Sequence, residues 1–223
     1  MKYKLTDVKI NFMGKTLFQI EAVKCFGDIV KGQKGGFIEK ESNLSQGGNA
    51  WVRGNAWVYG NAKVYGNAEV SGNAKVSGNA KVSGNAKVYG NAEVSGNAEV
   101  RGNAWVYGNA EVSGNAEVSG NAKVYGNAEV SGNAKVSGNA KVSGNAEVSG
   151  NADYLVIGPI GSRNDITTFF KTANNDIKVS CGCFTGNIEE FLEKVNETHG
   201  NNNYAKEYKT AVEIAKIHIF GGE

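Results

Sequence analysis

Residues 57–80 read WVYGNAKVYGNAEVSGNAKVSGNA, four copies of a hexapeptide that runs almost unbroken to Asn151. Asparagine recurs at 49, 55, 61 and every sixth position to 151, each time followed by alanine. Written as Ala-x-Val-x-Gly-Asn, one unit is a short strand and a corner. Alanine and valine stand two apart, so their side chains share one strand face, and the two x positions point the other way. Glycine and asparagine are the residues that best tolerate the positive φ of a sharp corner. A flexible glycine-rich linker would not keep a valine at every sixth residue.

One hexapeptide cannot bury its apolar pair alone, so the units must stack. A corner in every unit makes a triangular coil of three hexapeptides. Valines fill a narrow interior, alanines fit where space is tight, and corner asparagines stack into hydrogen-bonded ladders. Seventeen units from Asn49 to Asn151 make nearly six coils. At about 4.8 Å per stacked strand, that is a prism about 27 Å long.

Asn49 to Asn151 resembles the hexapeptide-repeat family, whose fold is a left-handed parallel β-helix and whose members are often trimers. The left hand is implied by the resemblance alone, because right-handed crossovers are the general rule. Many members are acyltransferases that use a histidine as general base, on a coil or on a loop interrupting the repeat. Here neither histidine lies in the repeat (they are His199 and His218), and no loop breaks it. The transferase expectation fails at the residues that would carry it.

Residues three units apart share a face of the prism. The first face carries Trp51, Glu69, Lys87, Trp105, Lys123 and Lys141, with a tyrosine ladder Tyr89–Tyr107–Tyr125 beside Trp105. The second begins Trp57, Lys75 and continues Glu93, Glu111, Glu129, Glu147, beside serines from Ser77 to Ser149. The third mixes Lys63, Lys81, Glu99, Glu117 and Lys135. Tyr89, Trp105, Tyr107 and Tyr125 are candidates for a subunit interface, since exposed aromatics on a flat face mark such contacts. Tyrosines also stack well on each other with no partner at all. The glutamate column reads either as a solvated face that resists association or as one that meets a basic partner.

Before the repeat, MKYKLTDVKINFMGKTLFQIEAV (1–23) alternates polar and apolar residues and reads as two strands around Met13-Gly14-Lys15. The six-residue register extended backward places Leu44 and Ile38 inward, making a degenerate capping coil. The stretch GGFIEKESNLSQGGNAWV (35–52) resembles the leading segment of a bacterial and prophage-encoded branch of these repeat proteins, a resemblance that carries no activity with it.

After Asn151 the period stops. ADYLVIGPIGSRND (152–165) reads as a buried strand ending in a glycine turn, and ITTFFKTANNDIKVSCGCF (166–184) as two strands about an Asn-Asn-Asp turn. GNIEEFLEKVNETHG (186–200) predicts an amphipathic helix, with Asn187 as cap, Glu190 three later and Gly200 as stop. NYAKEYKTAVEIAKIHI (203–219) predicts a second. This part resembles a small domain at the ends of repeat proteins in the same bacterial and phage setting. The expected architecture is mostly β: an N-terminal strand segment with a degenerate coil (1–48), a left-handed β-helix (49–152), and a small α+β domain of three strands and two helices (153–223).

Gly161, Ser162, Arg163, Asn164 and Asp165 form the candidate ligand-binding stretch. A glycine turn after a strand exposes N–H groups, and an adjacent arginine can fork onto a phosphate or carboxylate. The spacing is neither a Walker loop nor a dinucleotide fingerprint, and a plain turn with a surface arginine fits it too. Cys181-Gly182-Cys183 puts two thiols on one strand face, where they serve as small buried hydrophobes unless His199 and His218 complete a metal site. His199 sits where a helix C-terminus favours a cation, and is otherwise a possible base.

Charge is nearly balanced, with 24 basic and 22 acidic residues, and no segment has the basic excess of a phosphate-backbone binder. No apolar run is long enough to span a bilayer, and residues 1–12 lack the apolar core of a signal peptide. Three cysteines fit a reducing compartment. These features point away from nucleic acid and membranes, toward the cytoplasm. The function they suggest is a non-enzymatic binding or scaffold protein, with no metal, cofactor or catalytic residue assigned. Its expected partners are its own copies in a trimer, and a host protein or a small anionic or nucleotide-like ligand. A degenerate acyltransferase, a hydrolase in the C-terminal domain and a structural spacer are the alternatives.

Overall fold

The computed structural model describes residues 1–221. Its centre is a three-sided parallel β-solenoid of about six turns. Each hexapeptide contributes a two-residue strand such as Lys87–Val88 or Trp105–Val106, and strands three hexapeptides apart pair in parallel register. Every coil valine and alanine is buried, so the whole interior is one apolar column. The backbone closes it: Tyr107 N–H donates to Val124 C=O at 3.0 Å and Asn109 N–H to Gly126 C=O at 2.8 Å, one coil on. Corner asparagines form the expected ladders, with Asn91 Nδ2 donating to Asn109 Oδ1 and Asn109 Nδ2 to Asn127 Oδ1, both at 3.0 Å.

The corner explains the recurring glycine. Gly108 has φ +76°, and a Cβ there would stand 3.0 Å from the Gly126 nitrogen of the next coil. Positive φ and close stacking together leave room for hydrogen only.

Stacked parallel strands leave an open end at each extremity, and both ends are covered. At the start, strands Tyr3–Phe12 and Lys15–Ala22 turn at Met13-Gly14, as the alternation predicts, and Lys34–Ile38 joins them to the second face. Tyr3, Ile20, Ile38 and Leu44 are buried over the first coil. Trp51, an outward position in the repeat register, is instead 1% exposed, enclosed by edge contacts from Tyr3 and Phe26. The leading segment folds back over that position, so the register alone misplaces it.

At the far end, four antiparallel strands follow: Tyr154–Ile160, Asp165–Lys171, Ile177–Cys181 and Phe184–Asn187. The sequence predicts three. The fourth arises because Gly182, at φ +60°, lets the chain reverse, pairing Cys181 with Phe184. Helix α1 (Ile188–His199) begins at the predicted box, with Glu190 N–H donating to Asn187 Oδ1 at 2.8 Å and Asn187 N–H to Glu190 Oε2 at 2.9 Å. Helix α2 (Asn203–Phe220) buries Tyr208, Ala211, Val212 and Ala215.

Strand alternation makes this small sheet two-sided. Phe170 joins the apolar column of the solenoid, with Tyr154 and Val156 packed beside it. Phe169 faces the opposite way, into the helices with Leu155 and Ile157. One sheet therefore caps the solenoid and carries the helices, which fixes the groove below relative to the rod. Among the described residues no helix is long and apolar enough to cross a membrane.

Candidate binding groove

An open groove of about 400 Å³ lies where the turn before Asp165, the turn Gly182-Cys183, α1 and α2 converge. Phe184, Phe191 and Val195 supply apolar surface, while Arg163, Lys194 and Asp165 bring charge. Thr198, His199, Ser162, both cysteines and Tyr208 complete the lining.

The residues of the glycine turn divide. Ser162, Arg163 and Asp165 line the groove. Gly161 lies beneath it, its N–H donating to Glu207 Oε2 at 2.7 Å. Asn164, at φ +50°, closes the turn by donating its N–H to Gly161 C=O at 3.1 Å, and does not line the groove. Arg163 is exposed and makes no ion pair among the described residues, whereas Lys194 is held by Glu197 at 2.8 Å. Asp165 Oδ1 accepts from the adjoining Ile166 N–H at 2.7 Å. The groove therefore brings the unpaired guanidinium of Arg163 and the carboxylate of Asp165 into one lining with Phe184, Phe191 and Val195.

Tyr208 forms its inner wall. Its ring packs edge-on to Phe191 and lies under His199 at 5.9 Å between centroids. Among the described residues its hydroxyl has one hydrogen-bond partner, Cys181 Sγ at 4.0 Å, and it packs against Gly161. Burial, above all, and then the Cys181 thiol push its pKa up to about 12, with Glu207 acting in the same sense and Arg163 against it. The phenol stays neutral and donating through the physiological range.

The two thiols separate. Cys181 ends its strand, half-buried, and accepts a hydrogen bond from Thr167 Oγ1 at 3.3 Å. Cys183 lies in the reversing turn and is exposed, so the expected pair of buried thiols on one strand face does not form. The turn at Gly182 is the reason. No group of three or more His, Cys, Asp or Glu residues is arranged to hold a metal among the described residues.

Helical periodicity places Phe191 and Val195 in a helix core and does not mark Tyr208 or Phe184 as site residues. The signal available is the spacing of Phe191, Lys194, Val195 and Thr198, which puts one polar edge of α1 beside its apolar stripe. A slightly larger opening of about 460 Å³ adjoins Asp176, Asn187 and Phe220. Its one lysine, Lys216, is paired with Glu213 at 3.2 Å, so it has no free cation to attract an anion.

On the solenoid, Tyr89, Tyr107 and Tyr125 stack with ring centroids 4.9 and 5.0 Å apart and planes within 4°. Trp105 stands edge-on to Tyr89, and the ammonium groups of Lys87 and Lys123 lie 5.6 and 4.7 Å from its ring centre. No protein-family model matches the chain, and no curated protein matches it.

Proposed function

We propose that this chain is a non-enzymatic binding protein: a rigid β-solenoid that presents a C-terminal recognition module, whose groove holds a small anionic ligand with a flat ring. The observation that carries this reading is the unpaired Arg163 guanidinium in a groove also lined by Phe184, Phe191 and Val195. A planar fork suits phosphate or carboxylate, and the aromatic lining suits a ring such as a nucleobase. Tyr208 supplies a neutral donor at the inner wall.

The repeat supports membership of the hexapeptide-repeat family with its left-handed winding, and residues 35–52 support the bacterial and prophage branch. Sequestration of a nucleotide-like molecule in the cytoplasm during phage–host interaction is the role consistent with both. Self-association, as a trimer, would multiply the grooves on one scaffold. Titrating the protein calorimetrically with inorganic phosphate, nucleoside monophosphates and aromatic carboxylates tests the site. Arg163→Ala should weaken binding at least tenfold, and unchanged affinity would remove the groove from the account.

One observation favours a second reading: His199 and the exposed Cys183 thiol line the same groove. Turnover of acyl-CoA or nucleotide panels that disappears in His199→Ala would replace binding with catalysis.

A further inference from the structure

We infer that the first face of the solenoid docks an acidic α-helix of a partner protein, laid along the rod against the column Lys87, Trp105, Lys123 and Lys141. Docking there does not depend on any occupant of the groove.

These four residues occupy successive coils and stand directly above one another in parallel register. Beside them rise Tyr89, Tyr107 and Tyr125, whose hydroxyls have no hydrogen-bond partner among the described residues. From Lys87 upward the face carries no carboxylate, and the glutamate below it, Glu69, is held by Arg53 at 3.0 Å. Lys87, Lys123 and Lys141 make no ion pair among the described residues. Lys141 donates instead to Gly182 C=O at 3.2 Å, which fixes the upper end of the column beside the C-terminal module.

Like charges stacked at strand spacing repel, and Lys123 stands directly under Lys141. Lys87 and Lys123 are only partly relieved by lying over the Trp105 ring, 5.6 and 4.7 Å from its centre. Elsewhere the rod supplies its own counter-charges to lysine: Lys75 pairs with Glu93, Lys81 with Glu99, and Lys135 with Glu117. The first face alone keeps a run of unpaired cations, and a partner that brings carboxylates complements it.

Spacing selects the partner's shape. The coils climb about 4.8 Å per step, so Trp105, Lys123 and Lys141 stand about 4.8, 9.6 and 14.4 Å above Lys87. On an α-helix rising about 1.5 Å per residue, positions i, i+3, i+7 and i+10 share one face at about 0, 4.5, 10.5 and 15 Å. A stripe of acid, apolar, acid and acid therefore meets lysine, tryptophan, lysine and lysine in step. An extended strand presents same-side residues only about every 6.6–6.8 Å and falls out of step. Bases of a single-stranded nucleic acid stack on open ring faces, whereas these tyrosines cover one another, with planes within 4°. Neither α1 nor α2 carries the stripe, so the occupant is another protein.

Fluorescence anisotropy tests this with the full chain and a labelled, alanine-rich helical peptide of about 20 residues, bearing Glu, Leu, Glu and Glu at the four positions. At low salt the wild type should bind it at least tenfold more tightly than a peptide with the same residues scrambled round the helix. Lys87→Glu/Lys123→Glu changes outward positions only and should weaken binding at least tenfold. That variant should instead prefer a peptide with lysines at i and i+7, which a misfolded chain would not do. Equal binding of patterned and scrambled peptides, or tighter binding of a single-stranded oligonucleotide, would overturn the inference. So would an oligomer, formed without peptide, that the double variant loses, since the face would then belong to a second copy of this chain.

Discussion

Gly161 lies so close to Tyr208 that a Cβ on the glycine would overlap the phenol oxygen. Gly161 also has φ +71°, so two independent reasons exclude a side chain there. Gly161→Ala should strain the backbone and displace Tyr208, costing about 2–4 kcal/mol. Hydrogen exchange should rise across residues 154–221 while the solenoid amides keep their protection. Unchanged exchange in α2 would show that Tyr208 is not held by this contact.

The corner ladders make a prediction about the rod. Asn109→Ala removes two exposed ladder bonds, each worth about 0.5–1.5 kcal/mol net, and should cost about 1–3 kcal/mol in denaturant unfolding. Gly108→Ala, at φ +76° against the next coil, should cost more, since a strained positive φ alone is worth about 1–3 kcal/mol. A reversed order would mean that the asparagines, not the corner geometry, hold the coils together.

Lys2 gives a pH dependence. It is 1% exposed, and its ammonium donates to Ala50 C=O at 2.7 Å. Burial, and then the charge of Lys24, lower its pKa from 10.5 to about 8. Below about pH 8 both folded and unfolded chains keep the proton, and the cost of burying the charge is constant. From about 8 toward 10.5 the unfolded chain holds a proton that the folded one has released, so stability rises with pH. Tyr3 opposes this at higher pH: burial raises its pKa above the usual 10.0, so its unfolded phenol ionises first there. Urea midpoints should therefore climb between mildly and moderately alkaline pH in the wild type relative to Lys2→Met. Parallel profiles would contradict the assignment.

Cys183 offers a probe of the groove. It is exposed in the lining, while Cys25, also exposed, lies in the N-terminal segment. An anionic ring compound bound beside Arg163 should slow iodoacetamide labelling of Cys183 and leave Cys25 unaffected. Equal protection at both, or at neither, would place the ligand elsewhere.

The solenoid is legible because one short period sets face, corner and interior at once: valine inward, glycine at positive φ, asparagine in register with its copy one coil on. Trp51 escapes the period because its cover, Tyr3 and Phe26, comes from distant sequence that follows no repeat. The fourth strand is hidden because Gly182 reads as an interruption within a strand and not as its reversal. Arg163 can be singled out from its glycine turn, but its neighbours in the groove cannot. Phe184, Phe191 and Tyr208 come from three separate elements, and only the packing of α1 and α2 on the sheet brings them together.

The proposed occupant of the groove beside Arg163 is an anionic ligand. Mass spectrometry of small molecules released from wild type and Arg163→Ala, purified side by side from the native host, tests it most directly. The expected result is an anionic, ring-containing molecule in the wild type that is absent or at least tenfold depleted in the variant. The same molecules in equal amounts from both proteins would contradict it.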